Sequence, residues 1–140
     1  MRIVVATALA AVIATLGDLA IQELGRSILA VSADFEPYQG TVAPYTIGGV
    51  VLAGIAFWLV VRFTRDARRN YLGLSALALL ASWIPDVLLY VWKDPGATIP
   101  AVGSLMVMHT FAAVVVVTFL LTIAPPGSRP AATRPSSTTH

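Results

Sequence analysis

Residues 42–61, VAPYTIGGVVLAGIAFWLVV, and residues 71–92, YLGLSALALLASWIPDVLLYVW, flank the basic stretch 62–70, RFTRDARRN. Each apolar run is close to the roughly 20 residues that a helix needs to cross the hydrocarbon core of a bilayer. A tight Arg-rich turn between two such runs predicts a pair of antiparallel transmembrane helices.

Two further apolar runs, residues 3–24 and 99–124, lie on either side of this pair. All four runs are predicted to be helical, because an isolated strand in lipid leaves its backbone polar groups without partners. The fold class is therefore all-α, a bundle of four transmembrane helices within residues 1–124. Residues 125–140, PPGSRPAATRPSSTTH, are too polar to bury apolar surface, and the composition predicts a disordered cytoplasmic tail.

The composition excludes several classes of protein. Of the 140 residues, 57% are hydrophobic and 11% are charged, and the mean hydropathy is +0.81. Soluble domains have about 45 to 50% apolar and about 25% charged residues. A soluble enzyme domain, a disordered chain and a nucleic-acid binder are excluded. The chain has no cysteine, which excludes disulfides, thiolate catalysis and cysteine-based metal sites.

Positive charge is distributed unevenly between the two ends of the predicted helices. The larger group, placed on the cytoplasmic side by the positive-inside rule, consists of Arg2, Arg62, Arg65, Arg68, Arg69, Arg129 and Arg134. Only Arg26 and Lys93 fall on the other side. We therefore predict a multi-pass plasma-membrane protein with both termini in the cytoplasm. A signal peptide is the alternative for the first run, which is longer than the usual apolar region of such peptides.

The cluster Arg62, Arg65, Arg68 and Arg69 has two interpretations. It sets the orientation of the helices, or it also binds anionic lipid headgroups. Aromatic residues are expected at the membrane interfaces near both ends of the helices. They are Tyr38, Tyr45, Tyr90 and Trp92 on the outer side, with Phe63 and Tyr71 on the inner side.

Polar side chains inside the spans are the candidate site. Counted from the nearest helix end, Asp18, Asp86 and Ser104 lie roughly 8 to 9 Å below the outer interface at 1.5 Å per residue, and His109 lies about 15 Å below it. Gln22 shares a helix face with Asp18. These five residues predict an outward-facing polar vestibule.

Two interpretations of the vestibule stay open. Two nearby carboxylates in a low dielectric can hold and release a proton near neutral pH, and an imidazole below them can relay it. Alternatively, Asp18 and Asp86 are hydrated and His109 hydrogen-bonds a backbone carbonyl or a hydroxyl to fix helix packing. A metal site formed by these three side chains is a weaker alternative, and haem ligation by His109 is weaker still. No metal or cofactor is expected.

Small residues predict where helices approach one another. In the first helix they form a stripe with polar residues, which comprises Thr7, Ala11, Thr15, Asp18 and Gln22. In the second helix Thr46, Gly49, Ala53 and Ala56 recur at a similar spacing. We expect both stripes to face protein, because small side chains let another helix come close.

Residues 41–121 resemble the domain of unknown function 6069 family, small four-helix membrane proteins found mostly in actinomycetes. The resemblance rests on LAG and Trp58 in helix two, the Arg-rich turn, the Ser and Pro of helix three and the pair Met108-His109. It implies a plasma-membrane bundle and no particular activity. The acids Asp18 and Asp86 depart from the family pattern.

The sequence favours a non-catalytic membrane bundle that binds a partner, a lipid or a small ligand through the vestibule. The alternative is a small proton-coupled transporter that works as an oligomer, with Asp18 as the coupling acid. An enzyme is not expected, since neither a nucleophile nor a metal cluster is evident. The expected partners are membrane lipid and either further copies of the chain or a larger membrane complex.

Overall fold

The computed structural model describes residues 1–126 and contains four long helices, α1 (Arg2–Ser27), α2 (Val42–Phe63), α3 (Ala67–Val91) and α4 (Ile99–Ile123). There is no strand in this part of the chain, and each helix is long and apolar enough to span a membrane. The all-α, four-helix prediction is confirmed. The predicted tail, apart from its first two residues, lies outside the described residues.

The helix ends differ from the predicted ones mainly at the Arg-rich turn. The predicted turn, residues 62–70, was too long, since α2 continues to Phe63 and α3 begins at Ala67. The connection is only residues 64–66. Arg is a good helix former, so charge did not mark the helix ends here. We call this end of the bundle the turn end.

Helix α1 packs closely against α4 and α2. Ala6, Ala10 and Ala14 have no exposed surface. A Cβ added at Gly17 would clash with Cε1 in the ring of Phe111 on α4. Small residues at helix contacts allow this close approach. The fully buried alanines each lie one position before a residue that was predicted to face protein. Those residues, Thr7, Ala11 and Thr15, are half-buried.

Two apolar clusters hold the helices together. The cluster toward the turn end contains the three buried alanines of α1 and an edge-to-face pair, Phe57 and Tyr71, whose ring centroids are 4.8 Å apart. The other cluster contains Phe35 and Tyr38 from the segment between α1 and α2, packed on Leu105 and Met108 of α4. Each cluster draws on more than two parts of the chain, so packing links all four helices.

The segment 28–41 closes the other end of the bundle, and we call it the cap. It includes a short 3-10 helix, Glu36–Tyr38, and it buries Phe35 and Tyr38 almost completely. The Tyr38 hydroxyl lies 2.5 Å from Ser104 Oγ, and Gln22 Nε2 donates to the Tyr38 carbonyl at 2.7 Å. We call this end the cap end.

Two predicted interface aromatics are buried instead. Tyr38 is 1% exposed and Tyr71 is 2% exposed, so neither lies at a lipid headgroup layer. The prediction was wrong for these two because it used only distance along the chain from the helix ends. Tyr38 packs against α4, and Tyr71 lies one turn after the first residue of α3 rather than at the helix end.

Helix α3 is the least buried of the four. Only Ala67, Tyr71 and Asp86 are buried in it. The stripe of small residues on α2, predicted to contact another helix, lines a gap between α2, α3 and α4. Gly49 in this stripe has no side chain or distant backbone within 4 Å of its Cβ position. The close contact of α2 is made by Gly54 against Thr7 of α1 instead.

Candidate functional site

A cavity of about 600 Å³ lies at the cap end and receives side chains from all four helices. Asp18 comes from α1, Tyr45 and Thr46 from α2, Asp86 from α3 and His109 from α4. We call it the acid cavity. Its volume is within the range of about 300 to 1,000 Å³ that is typical of small-molecule sites.

Asp18 is buried in this cavity with only part of its hydrogen-bonding capacity used. The residue is 3% exposed, and Thr46 Oγ1 donates to Asp18 Oδ2 at 2.7 Å. The other oxygen, Oδ1, is buried and has no hydrogen-bond partner in the described part of the chain. A buried carboxylate oxygen without a partner is costly, so its position at membrane depth makes Asp18 a candidate for binding a ligand or a proton.

Asp86 and His109 form a contact between α3 and α4. His109 Nδ1 lies 3.2 Å from Asp86 Oδ2 and 2.9 Å from the Leu105 carbonyl oxygen. The hydrogen bond of Nδ1 goes to Leu105, because Asp86 Oδ2 is itself left without one. The contact with Asp86 is poorly aligned for a hydrogen bond and becomes an ion pair when the imidazole is protonated. Asp86 is 5% exposed, so a second carboxylate is buried, and His109 is the side chain in contact with its Oδ2.

The electrostatics of the acid cavity are one-sided. Its lining holds three carboxylates, those of Asp18, Glu36 and Asp86, and no Lys or Arg. His109 is the one basic side chain in the lining, and both buried aspartates lie close enough to interact with its charge. Within residues 1–126 no group of three or more potential ligand residues is arranged to hold a metal ion. The cavity therefore favours positive charge without offering a metal-ligand set.

A second space adjoins the acid cavity on the side of the turn end. It has a volume of about 200 Å³ and lies between α2, α3 and α4. We call it the apolar groove, since most of its lining is aliphatic, including Ala53 and Ala78. Thr46, His109 and Ala112 line both spaces, so they lie at the junction.

The structure brings together three of the five predicted site residues. Asp18, Asp86 and His109 line the acid cavity, whereas Gln22 and Ser104 do not. Gln22 donates to the Tyr38 carbonyl, and Ser104 Oγ bonds the Tyr38 hydroxyl and the Ala101 carbonyl. Both hold the cap in place.

Sequence reasoning did not include Tyr45, Thr46 or Glu36 in the site. The sequence did place Thr46 as the polar member of the small-residue stripe on α2. If that stripe had been predicted to face the acid on α1, Thr46 would have been included in the site. Glu36 carried no such signal, since its position depends on how the cap folds. Tyr45, in the first turn of α2, was predicted only as an aromatic residue at the membrane interface.

The Arg cluster lies at the turn end, away from the acid cavity. Arg62 ends α2, Arg65 is in the connection, and Arg68 and Arg69 begin α3. All four are exposed, and among residues 1–126 none is paired with a carboxylate. Orientation and lipid binding both remain predictions for this cluster.

Comparison with protein-family models, with curated proteins and with solved structures finds no match for this chain. The resemblance to the domain of unknown function 6069 family stays a prediction. The four helices are those of a small multi-pass membrane protein.

Proposed function

We propose that this protein is a non-catalytic membrane bundle that binds a small ligand in the acid cavity. One observation carries the proposal: Asp18 and Asp86 are buried in one cavity, where Asp18 Oδ1 has no hydrogen-bond partner in the described residues and Asp86 Oδ2 has only its contact with His109. A packing role alone would favour paired or apolar groups at these positions. A bound ligand offsets the cost of burying them.

Binding is favoured over chemistry because no complete set of nucleophile, base and orienting group lines the cavity. Ser104 Oγ is held by Tyr38 and lies outside the cavity lining. Thr46 Oγ1, which does line the cavity, donates to Asp18 and so is paired with a carboxylate that could act as a base. An acyl-transfer site also needs a third group that holds the base in place, and Asp18 Oδ1 has no such partner in the described residues.

Native mass spectrometry of the protein extracted gently from its own membrane tests the proposal. We expect a stoichiometric extra mass on the wild-type protein that is lost in the Asp18→Asn/Asp86→Asn double variant. Asp34→Asn is the matched control, because Asp34 is exposed in the cap. The same extra mass in all three proteins, or none in any of them, would contradict ligand binding in this cavity.

A second candidate is a proton-coupled transporter that works as an oligomer, with Asp18 as the coupling acid. The observation that favours it is the junction between the two spaces, where His109 and Thr46 line both the acid cavity and the apolar groove. A path through a bundle needs such polar groups at membrane depth. In proteoliposomes with a pH gradient, flux of a cationic dye should then depend on Asp18. Asp18→Asn should abolish it and Asp34→Asn should not, and flux that survives Asp18→Asn would contradict this candidate.

The proposed location is the plasma membrane, with the turn end and both termini in the cytoplasm. Support comes from the exposed Arg cluster at the turn end. The chain has no cysteine, so single cysteines can be introduced without background. On intact cells, an impermeant maleimide should label Asp34→Cys and leave Arg65→Cys unlabelled until the membrane is opened. The reverse pattern would contradict this orientation.

A further inference from the structure

We propose that the ligand is an organic cation with an apolar portion, whose charged centre lies in the acid cavity and whose apolar portion lies in the apolar groove. This inference rests on the proposed function and names the chemical class that the site would take.

The sign of the charge follows from the lining of the acid cavity. Two aspartates that are more than nine-tenths buried line the cavity, and Glu36 adds an exposed carboxylate at its edge. The single basic side chain, His109, lies against Asp86, which leaves Asp18 Oδ1 without a basic side chain or a hydrogen-bond partner in the described residues. A cationic ligand supplies the missing positive charge, whereas an anionic ligand would add to the repulsion.

The shape of the cation follows from what the cavity offers besides charge. No group of three ligand residues is arranged for a metal ion within the described residues. Instead, Tyr45 and Trp92 line the same cavity as the two buried acids. Both aromatic residues are largely exposed, so they line the mouth of the cavity. Aromatic rings at the mouth of an acidic cavity are suited to a substituted ammonium, because the ring quadrupole attracts a bulky cation that is weakly hydrated.

The apolar portion follows from the adjoining groove. It meets the acid cavity at Thr46, His109 and Ala112, so a ligand bound at the acids can extend into it. Ala53, Ala56 and Ala78 leave the groove about 200 Å³ of free volume. Apolar groups transferred there from water gain free energy in proportion to the area they bury.

Three probes test the charge of the ligand and the placement of its apolar portion separately, because two share a cationic group and two share a hexyl chain. They are tetramethylammonium, hexyltrimethylammonium and hexyl sulfate, titrated calorimetrically into nanodiscs of phosphatidylglycerol that contain the full-length protein, with empty nanodiscs subtracted. We expect saturable binding of both cations, at least tenfold tighter for hexyltrimethylammonium, and none for hexyl sulfate. Binding of hexyl sulfate as tight as that of its cationic counterpart would overturn the charge assignment. Equal affinity for the two cations would overturn the placement of the apolar portion.

Variants locate the binding. Asp18→Asn should weaken both cations at least tenfold. Ala78→Leu, which fills the apolar groove, should weaken hexyltrimethylammonium at least fivefold and leave tetramethylammonium unchanged. Ala76→Leu is the control on the same helix, because both alanines are exposed and only Ala78 lines the groove. Equal effects of the two leucine variants would overturn the groove assignment. The comparison of the three probes on the wild-type protein does not require any variant to fold.

Two further outcomes separate this inference from the proposed function. If neither cation binds but native mass spectrometry still shows extra mass that depends on Asp18 and Asp86, the cavity binds a ligand of another class and only this inference fails. If the extra mass is also missing, both fail. Repeating the titration in phosphatidylethanolamine distinguishes the source of the cation. Competition there assigns it to a lipid headgroup, and unchanged affinity assigns it to a free amphiphile.

Discussion

Helices α1 and α3 make an informative comparison, since they have 26 and 25 residues and each contributes one buried aspartate to the acid cavity. Helix α1 is buried along its length, and its buried residues are Ala6, Ala10, Ala14, Asp18, Gln22 and Gly25. Helix α3 buries only Ala67, Tyr71 and Asp86. In a membrane the apolar faces of both helices are stable in lipid, so the difference in packing between α1 and α3 follows from the small residues of α1 rather than from hydrophobicity.

The largest expected effect is on stability, from one substitution made on each helix. Ala10→Leu inserts three carbons into a contact with no exposed surface and should lower the free energy of unfolding by about 1 to 3 kcal/mol. Ala76→Leu on α3 adds the same atoms to an exposed position and should change it by less than about 0.5 kcal/mol. Reversible unfolding in mixed micelles, followed by circular dichroism, measures both. Similar losses for the two variants would mean that α3 is as closely packed as α1.

The second prediction compares the two buried acids. Asp18→Asn removes a buried charge and keeps an acceptor for Thr46, so it should raise the free energy of unfolding by about 1 kcal/mol. Asp86→Asn also removes a charge, but it gives up the contact with His109 and should raise stability less or not at all. The same unfolding measurement checks this. A loss of stability in Asp18→Asn larger than that in Asp86→Asn would show that Asp18 stabilises the fold.

The third prediction concerns the bond that anchors the cap on the α1–α4 side. Tyr38→Phe removes the hydroxyl that lies 2.5 Å from Ser104 Oγ and should cost about 0.5 to 1.5 kcal/mol. Tyr45→Phe is the control, because Tyr45 is 76% exposed. If the two variants lose equal stability, the hydrogen bond does not anchor the cap.

The smallest effect is a pH dependence of the cap. Burial raises the pKa of the Tyr38 hydroxyl above its usual value near 10, against smaller opposing effects of Ser104 and Arg26. Because the pKa is higher in the folded protein, the contribution of Tyr38 is complete below about pH 10 and is lost as the pH rises through the raised value. The stability difference between the wild type and Tyr38→Phe should shrink over that range. A constant difference up to pH 12 would contradict this.

The sequence was sufficient for some features and not for others. Four apolar runs of membrane-spanning length predicted the four helices, because lipid leaves the backbone no other choice. Asp18, Asp86 and His109 could be singled out because burying an ionisable group at membrane depth is costly and such groups usually have a function. The roles of Gln22 and Ser104 could not be predicted, since their partner, Tyr38, lies in a segment whose fold depends on contacts with α4 rather than on its own pattern.

The connections of α3 determine how the acid cavity can change its size. Only residues 64–66 join α3 to α2 at the turn end, and residues 92–98 join it to α4 at the cap end. Helix α3 is therefore connected to α2 at the turn end and to α4 at the cap end. Any widening between α2 and α3 must increase toward the cap end. Since the acid cavity lies at that end, its size is set by contacts between side chains and not by a chain connection between α2 and α3.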